Sequence, residues 1–175
     1  IEDDSHQEEI IRFAEKINAP ILADPLSQIR YGYNSKHILA HYDHFLQIVD
    51  IQPDLVIRFG RKPTSKILCQ LLDRWTLQTY LIDYWQQYND DCPNFIQSAI
   101  GNYCRKQVQN IKWIGSNNWL KQLLALEKIV KNEIQKDETY HEGNIAKICL
   151  NAIGDEGCVI IGNSMPIRDV DMFTS

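Results

Sequence analysis

The sequence predicts an α/β fold of the doubly wound, Rossmann-like class, and three observations carry that prediction. Short apolar runs at residues 20–23, 55–59 and 79–82 are each closed by a turn residue or a charge. The segments between them repeat their apolar residues at helical spacing. The chain has 175 residues, 44% of them hydrophobic, enough for one domain with a substantial core and a piece of a second. Strands that alternate with helices build βαβ units, whose crossovers cover both faces of a parallel sheet.

Taken in order, Ser5 and Glu8 match a capping box, and Ile10, Ile11, Ala14 and Ile17 follow at helical spacing, so a helix is predicted over residues 5–18. Pro20 to Ala23 reads as the first strand. A helix is expected from Lys36 to Val49, with Ile38, Tyr42, Phe45 and Leu46 on one side. Leu55 to Phe59 is the second strand, closed by Gly60. Thr64 or Ser65 can cap a helix running to Trp75 on the stripe Ile67, Leu68, Leu71 and Leu72. Thr79 to Ile82 is the third strand, Tyr84 to Asn94 a polar and aromatic loop, and Phe95 to Ile100 a further strand-like segment.

The rhythm changes after about residue 112. Leu120, Leu123, Leu124, Val130 and Ile134 predict a long amphipathic helix from Asn117 to about Gln135. A polar break at residues 136–143 precedes a helix on Ile145, Ile148, Cys149 and Ala152, and Gly157 to Ile161 reads as a strand that delivers Gly162, Asn163 and Ser164. The expected division is a central α/β domain over residues 1–112 and the truncated start of a second α/β domain over 113–175. The missing initiator methionine and the abrupt last residues suggest an internal stretch of a longer chain, so Ile145, Ile148 and Val159 to Ile161 are expected to be exposed.

Composition narrows the function. A net charge of −5 and no basic tract interleaved with aromatics leave nothing to hold a nucleic-acid backbone. No apolar run approaches the roughly 18 residues of a membrane span. The five cysteines are widely spaced and never paired as CxxC, which favours reduced, mostly core thiols in a cytoplasmic protein over a disulfide framework or a zinc knuckle.

Chemistry concentrates in Gly162 to Asp171, GNSMPIRDVD. A strand would place Gly162, Asn163 and Ser164 at the carboxyl rim of a parallel sheet, where ligands collect. Ser164 could cap the next helix while neighbouring N–H groups face an anion, and Arg168 one turn on would offer a bidentate fork to a carboxylate. Spacing alone equally allows an ordinary strand-to-helix turn with a surface arginine. Arg58, Arg61 and Lys62, around Gly60 and near Lys66, form the most basic local cluster and a candidate anion or regulatory site. His37, His41 and His44 would share one face of the predicted helix, an arrangement open to a metal but more in keeping with a solvated face. Trp75, Trp85, Trp113 and Trp119 read as packing residues. No strand ends in a glycine-rich phosphate loop, which weighs against the alternative of a non-catalytic nucleotide- or flavin-binding module.

Four segments together resemble one family. GNSMPIRDVD is similar to the motif that opens the cofactor domain in the thiamine-diphosphate-dependent synthases of menaquinone biosynthesis. ILADPLSQ at 21–28, PDLVIRFGRKPTSK at 53–66 and HEGNIAKICLNAI at 141–153 match that family's central domain and the helix before the motif, in the same order. The resemblance implies an enzyme that decarboxylates 2-oxoglutarate on thiamine diphosphate with Mg²⁺ and adds the succinyl unit to isochorismate, as a homodimer or homotetramer. It implies that Lys66, Asn163, Ser164 and Arg168 contact isochorismate as positioning residues. It further implies that the catalytic glutamate and the diphosphate-binding GD motif lie outside this stretch, since Gly154 and Asp155 precede the GNS motif. The chain by itself is therefore expected to be inactive and to bind no cofactor.

Overall fold

The computed structural model describes residues 6–154 and 157–175. Helix α1, Gln7–Ile17, buries Ile10, Ile11, Phe13, Ala14 and Ile17 and exposes its charged side. Ser5 of the predicted capping box lies outside the described residues. The helix ends at Asn18 in the left-handed conformation, with φ 54°, a common way to stop a helix and satisfy its last carbonyls. The Asn18 side chain also donates to the carbonyl of Gly115 at 3.2 Å, joining this end of α1 to the segment before α5.

Strand β1, Ile21–Leu22, pairs in parallel with β2, Ile38–Leu39. The expected helix from Lys36 to Val49 is corrected here: its first part is β2 and only Tyr42–Leu46 is helical, as α2. Apolar residues at 38, 42, 45 and 46 suit a helix, but Ile38 and Leu39 gain more by completing a ladder with β1. Strand β3, Val56–Phe59, leads through Gly60 into α3, Lys66–Arg74, which Ser65 caps by accepting the N–H of Leu68 at 2.9 Å. Gly60 turns the chain at φ 73°, where a side chain would be strained. Strand β4, Thr79–Asp83, and β5, Asn94–Gln97, complete a parallel sheet in the order β3-β4-β5. Helix α4, Ile100–Asn110, follows where only a strand end was expected. Helix α5, Asn117–Lys136, and α6, Glu142–Ala152, lie where the sequence predicts them.

Alternation along the strands sorts side chains onto two helical layers. Leu22, Leu39 and Val56 join a cluster with Tyr42, Phe45, Leu68, Leu71, Trp75 and Leu123, from α2, α3 and α5. Ile21, Ile38, Ile57 and Phe59 pack instead with Ile10, Phe13, Ile17 and Cys104, from α1 and α4. This is the three-layer arrangement of a Rossmann-like fold, and each large apolar side chain it buries contributes about 1.5–3 kcal/mol. Helix α5, beyond residue 112, thus contributes Leu123 to the core shared by α2 and α3.

Gly157 to Ile161 has no regular structure and pairs with no strand among the described residues, so the predicted strand does not form. A strand exists through its ladder, and none is offered here. Ile160 is 97% exposed, and Ile145, Ile148 and Val159 are exposed as expected. Helix α7, Met165–Phe173, then returns to the body of the molecule, packing on α6 and α2. Phe173 lies against Gly143, where any Cβ would overlap its ring. Two of the tryptophans expected to pack, Trp85 and Trp113, are exposed, as are Cys149 and Cys158, whereas Cys104 is buried. No helix among the described residues is long and apolar enough to cross a membrane.

Candidate functional site

The edge strands β1 and β3 do not pair, and both line a cavity of about 1020 Å³. Its lining runs the length of both strands, from Pro20 and Leu55 before their starts to Ala23 and Gly60 beyond their ends. Arg58, Arg61 and Lys62 line this cavity. Arg58 is committed, however: its Nη2 donates to both carboxylate oxygens of Asp90, at 2.5 and 2.6 Å, with the two side chains 9% and 2% exposed. Its Nη1 is buried without a hydrogen-bond partner. Lys62 lies 3.6 Å from Asp91 and 4.0 Å from Asp73. Lys66, grouped with these cations in sequence, is not among the residues lining this cavity.

Lys66 instead lines a smaller cavity of about 70 Å³ together with Arg168, Thr64, Ser65, Asp43 and Asp171. Two helices from distant parts of the chain meet here, Lys66 in the first turn of α3 and Arg168 in the first turn of α7. Neither cation has an ion-pair partner among the described residues. Asn163 and Ser164 do not line this cavity; both are exposed on the turn that enters α7. Ser164 makes no side-chain cap, contrary to expectation, because its backbone sits at φ 77°, ψ −127°, far from the geometry that aims a capping oxygen at the helix. Its N–H donates to Asn163 Oδ1 at 2.9 Å.

Beneath the two cations lies a buried polar network that no spacing in the sequence announces. Arg30 Nη1 donates to Asp171 Oδ1 at 2.7 Å, and the side chains are 0% and 3% exposed. The Tyr42 hydroxyl lies 3.3 Å from the same oxygen. Burial, then the Asp171 charge, push that hydroxyl far above the usual phenol range, so it stays protonated and acts as a donor. Burial, reinforced by Asp24 and Asp43, pushes Asp171 up to about 6 against the pull of Arg30. Asp43 accepts a short hydrogen bond from the Ser65 hydroxyl and thereby steadies the cap of α3.

The three histidines of the predicted helix face diverge, because β2 replaces the first turn of that helix. His37 Nδ1 lies 2.8 Å from the Ala19 carbonyl, His41 Nδ1 2.8 Å from Glu127 Oε1, and His44 Nε2 3.0 Å from the Met172 carbonyl. Glu127 of α5 also accepts the N–H groups of Ala40 and His41, at 2.9 and 3.1 Å, at the entry to α2. These are ties between elements, and among the described residues no cluster of three His, Cys, Asp or Glu is disposed to hold a metal.

Sequence reasoning missed Arg30, Tyr42, Asp43 and Ser65 as partners of this site. Asp171 did lie within the motif, one helical turn beyond Arg168 on the same side of α7, and that spacing was the one available signal.

Comparison with known proteins follows the same lines. The chain is 32% identical over 186 aligned residues to the 2-succinyl-5-enolpyruvyl-6-hydroxy-3-cyclohexene-1-carboxylate synthase of Bacillus cytotoxicus, covering 98% of the chain and 32% of that protein. It is 31% identical to the enzyme of the same name from Listeria innocua, over 97% of the chain and 32% of the relative. The corresponding protein of Oceanobacillus iheyensis is 32% identical over 94% of the chain and 31% of its own length. The chain thus spans about a third of the length of the curated relatives it matches. A family model described as the middle domain of thiamine pyrophosphate matches residues 2–161. With its parallel sheet between two helical layers, the chain belongs to the thiamine pyrophosphate enzyme middle-domain family.

Proposed function

We propose that this chain is the central part of a cytoplasmic thiamine-diphosphate-dependent synthase that decarboxylates 2-oxoglutarate and adds the succinyl unit to isochorismate, giving 2-succinyl-5-enolpyruvyl-6-hydroxy-3-cyclohexene-1-carboxylate. Within it, Lys66 and Arg168 bind the carboxylates of isochorismate, and Asn163 and Ser164, exposed on the turn into α7 and outside the cavity of the two cations, serve its hydroxyl and orientation where the acceptor extends beyond that cavity. One observation carries the reading: Lys66 and Arg168, distant in sequence, line the same cavity with no ion-pair partner among the described residues. The two carboxylates of the same wall are engaged elsewhere, Asp171 by Arg30 and Asp43 by Ser65, so a dianionic acceptor would partner the two cations, Arg168 through a planar fork and Lys66 as a point charge. These residues would bind and orient the acceptor and would transfer no proton.

When bound, thiamine diphosphate supplies the electron sink for decarboxylation. The described residues offer no donor cluster for its Mg²⁺, so the diphosphate and metal are assigned to other parts of a full-length enzyme. Asp155, of the Gly154-Asp155 pair, lies outside the described residues. The same reading takes the enzyme as a homodimer or homotetramer and the excised chain as inactive. It also keeps the division near residue 112 between the central domain and the lead into the cofactor domain. A step in hydrogen exchange after about residue 112 supports that division, and equal protection of α3 and α5, which share one core, overturns it.

The test is steady-state kinetics on the full-length protein. Lys66→Ala and Arg168→Ala are each expected to raise the KM for isochorismate about 10- to 100-fold, the worth of one charge-assisted hydrogen bond. An unchanged KM in both variants sinks the assignment.

A second reading concerns Arg58, Arg61 and Lys62 as an anion or regulatory site, and it is favoured by the buried Arg58 Nη1 that lacks a partner beside the larger cavity. Asp90→Asn would release Arg58 and should strengthen anion binding there, read by titration calorimetry with a small aromatic carboxylate. No gain in affinity speaks against it. The remaining alternative, a nucleotide- or flavin-binding module, would use the same cavity, yet the strand ends still lack a glycine-rich phosphate loop.

A further inference from the structure

The cations Lys66 and Arg168 stand on separate helices, and nothing in either side chain sets their separation. That task falls to groups beneath them. The buried Arg30 guanidinium donates to the Ala40 carbonyl at 2.6 Å and to the Ala23 carbonyl at 3.4 Å, just past the ends of β2 and β1. The same group donates to the Thr174 carbonyl at 2.7 and 3.1 Å, to the Asp171 carboxylate at 2.7 Å, and to the Asp171 carbonyl. One planar group thus joins the ends of two strands to the last turn of α7, whose carbonyls have no partner within the helix. A cation at that end also complements the helix dipole.

The other cation is held from the same post. Tyr42 and Asp43 are neighbours at the start of α2. Tyr42 reaches Asp171 on α7, and Asp43 takes the hydroxyl of Ser65, whose oxygen in turn caps the helix that carries Lys66. Both arms of the cavity are therefore referenced to β1, β2 and α2. The Arg30 side chain does not line the cavity and has no route to a ligand in it.

We infer that Arg30 is a positioning residue of the acceptor site: through Asp171 and Thr174 it seats α7 so that Arg168 faces Lys66 across the cavity. The inference rests on the acceptor-binding reading above. A misplacement of about 1 Å in such a site can cost about a hundredfold, so loosening the seat should be felt at the acceptor without any change in the residues that touch it.

The experiment is a double-variant cycle on the full-length enzyme, with KM for isochorismate, KM for 2-oxoglutarate and kcat measured for Arg30→Lys, Arg168→Ala and the pair. Arg30→Lys keeps the charge and loses the fork that reaches the strand ends and α7 together. It is expected to raise the KM for isochorismate about tenfold or more while leaving the KM for 2-oxoglutarate within about twofold, and to add nothing in the Arg168→Ala background. Additive effects, or equal losses in both KM values, overturn the inference and leave the acceptor site standing. An Arg168→Ala variant with unchanged isochorismate KM overturns the site itself and the inference with it. Should Arg30→Lys fail to fold, Tyr42→Phe, which removes only the hydroxyl that reaches Asp171 and lies outside the cavity lining, enters the same cycle with the same two outcomes.

Discussion

Five cations near the two cavities fall into two groups that the sequence lists without distinction. The Arg30 side chain is fully buried, that of Arg58 is 9% exposed, and they face carboxylates, Asp171 and Asp90. Lys66, Arg168 and Arg61 are exposed and pair with no carboxylate among the described residues. Desolvating a charge is costly unless a partner and further hydrogen bonds replace water, so a buried arginine is committed to its carboxylate and serves architecture. An exposed lysine or arginine at a helix start keeps its capacity for a ligand. Net local charge therefore says little about where an anion binds; the partners already present decide it.

The largest expected effect tests the buried group. Arg30→Met strands the Asp171 carboxylate and several carbonyls, and should destabilise the fold by about 3–5 kcal/mol, read by urea denaturation. A loss below 1 kcal/mol would place Arg30 with the surface cations and erase the distinction.

Next comes pH. Asp171 has its carboxyl at about 6 in the folded state, above the ordinary carboxylate value of 3.8. Between those values the folded protein holds a proton that the unfolded chain has released, so stability falls as pH rises through the window. Asp169, also pushed up, chiefly by burial and then by Glu142, acts with the same sign. Glu127 acts oppositely, because against its burial the bonds from His41 and from the Ala40 and His41 N–H groups hold it low. The difference between wild type and Asp171→Asn isolates the one group. Thermal melts from pH 4 to 7 should show the falling component shrink in the variant to the part that Asp169 carries, and an unchanged slope would mean that Arg30 keeps Asp171 ionised throughout.

A smaller effect sits where the groups meet. Ser65→Ala removes the cap of α3 and the partner of Asp43, and should cost about 1–2 kcal/mol in the same denaturation experiment. The smallest concerns the exposed group itself. Lys66→Ala, Arg168→Ala and Arg61→Ala should each shift stability by no more than about 0.5 kcal/mol. A larger loss at Arg168 would give it a structural partner and move it to the other side of the comparison.

Much of the fold was legible along the chain. The stripe from Ile67 to Leu72 behind Ser65, the run Thr79 to Ile82 and the long pattern from Leu120 to Ile134 all became the elements they predict, because in each a local pattern and a terminus signal agree. Helix α4 was hidden by its polar composition, although Ile100, Tyr103, Cys104 and Val108 do recur at helical spacing. Strand β2 was hidden within a helical spacing, and two residues are too few to show a period. Gly157 to Ile161 shows the opposite failure, a β-type composition with no ladder to join among the described residues. In the candidate site, Lys66 and Arg168 came from the resemblance of their motifs, and only the packing of α7 shows that they share a cavity.

By itself the sequence determined the α/β class, the family and the location of most helices, since periodicity, caps and motifs are properties of neighbouring residues. Tertiary structure alone decided which cations are committed and which are available, and which buried groups seat them. Arg30 and Asp171 meet across 141 positions of chain, and a pairing over that distance has no local signature; it is set by the common burial of two helices and two strand ends around one guanidinium.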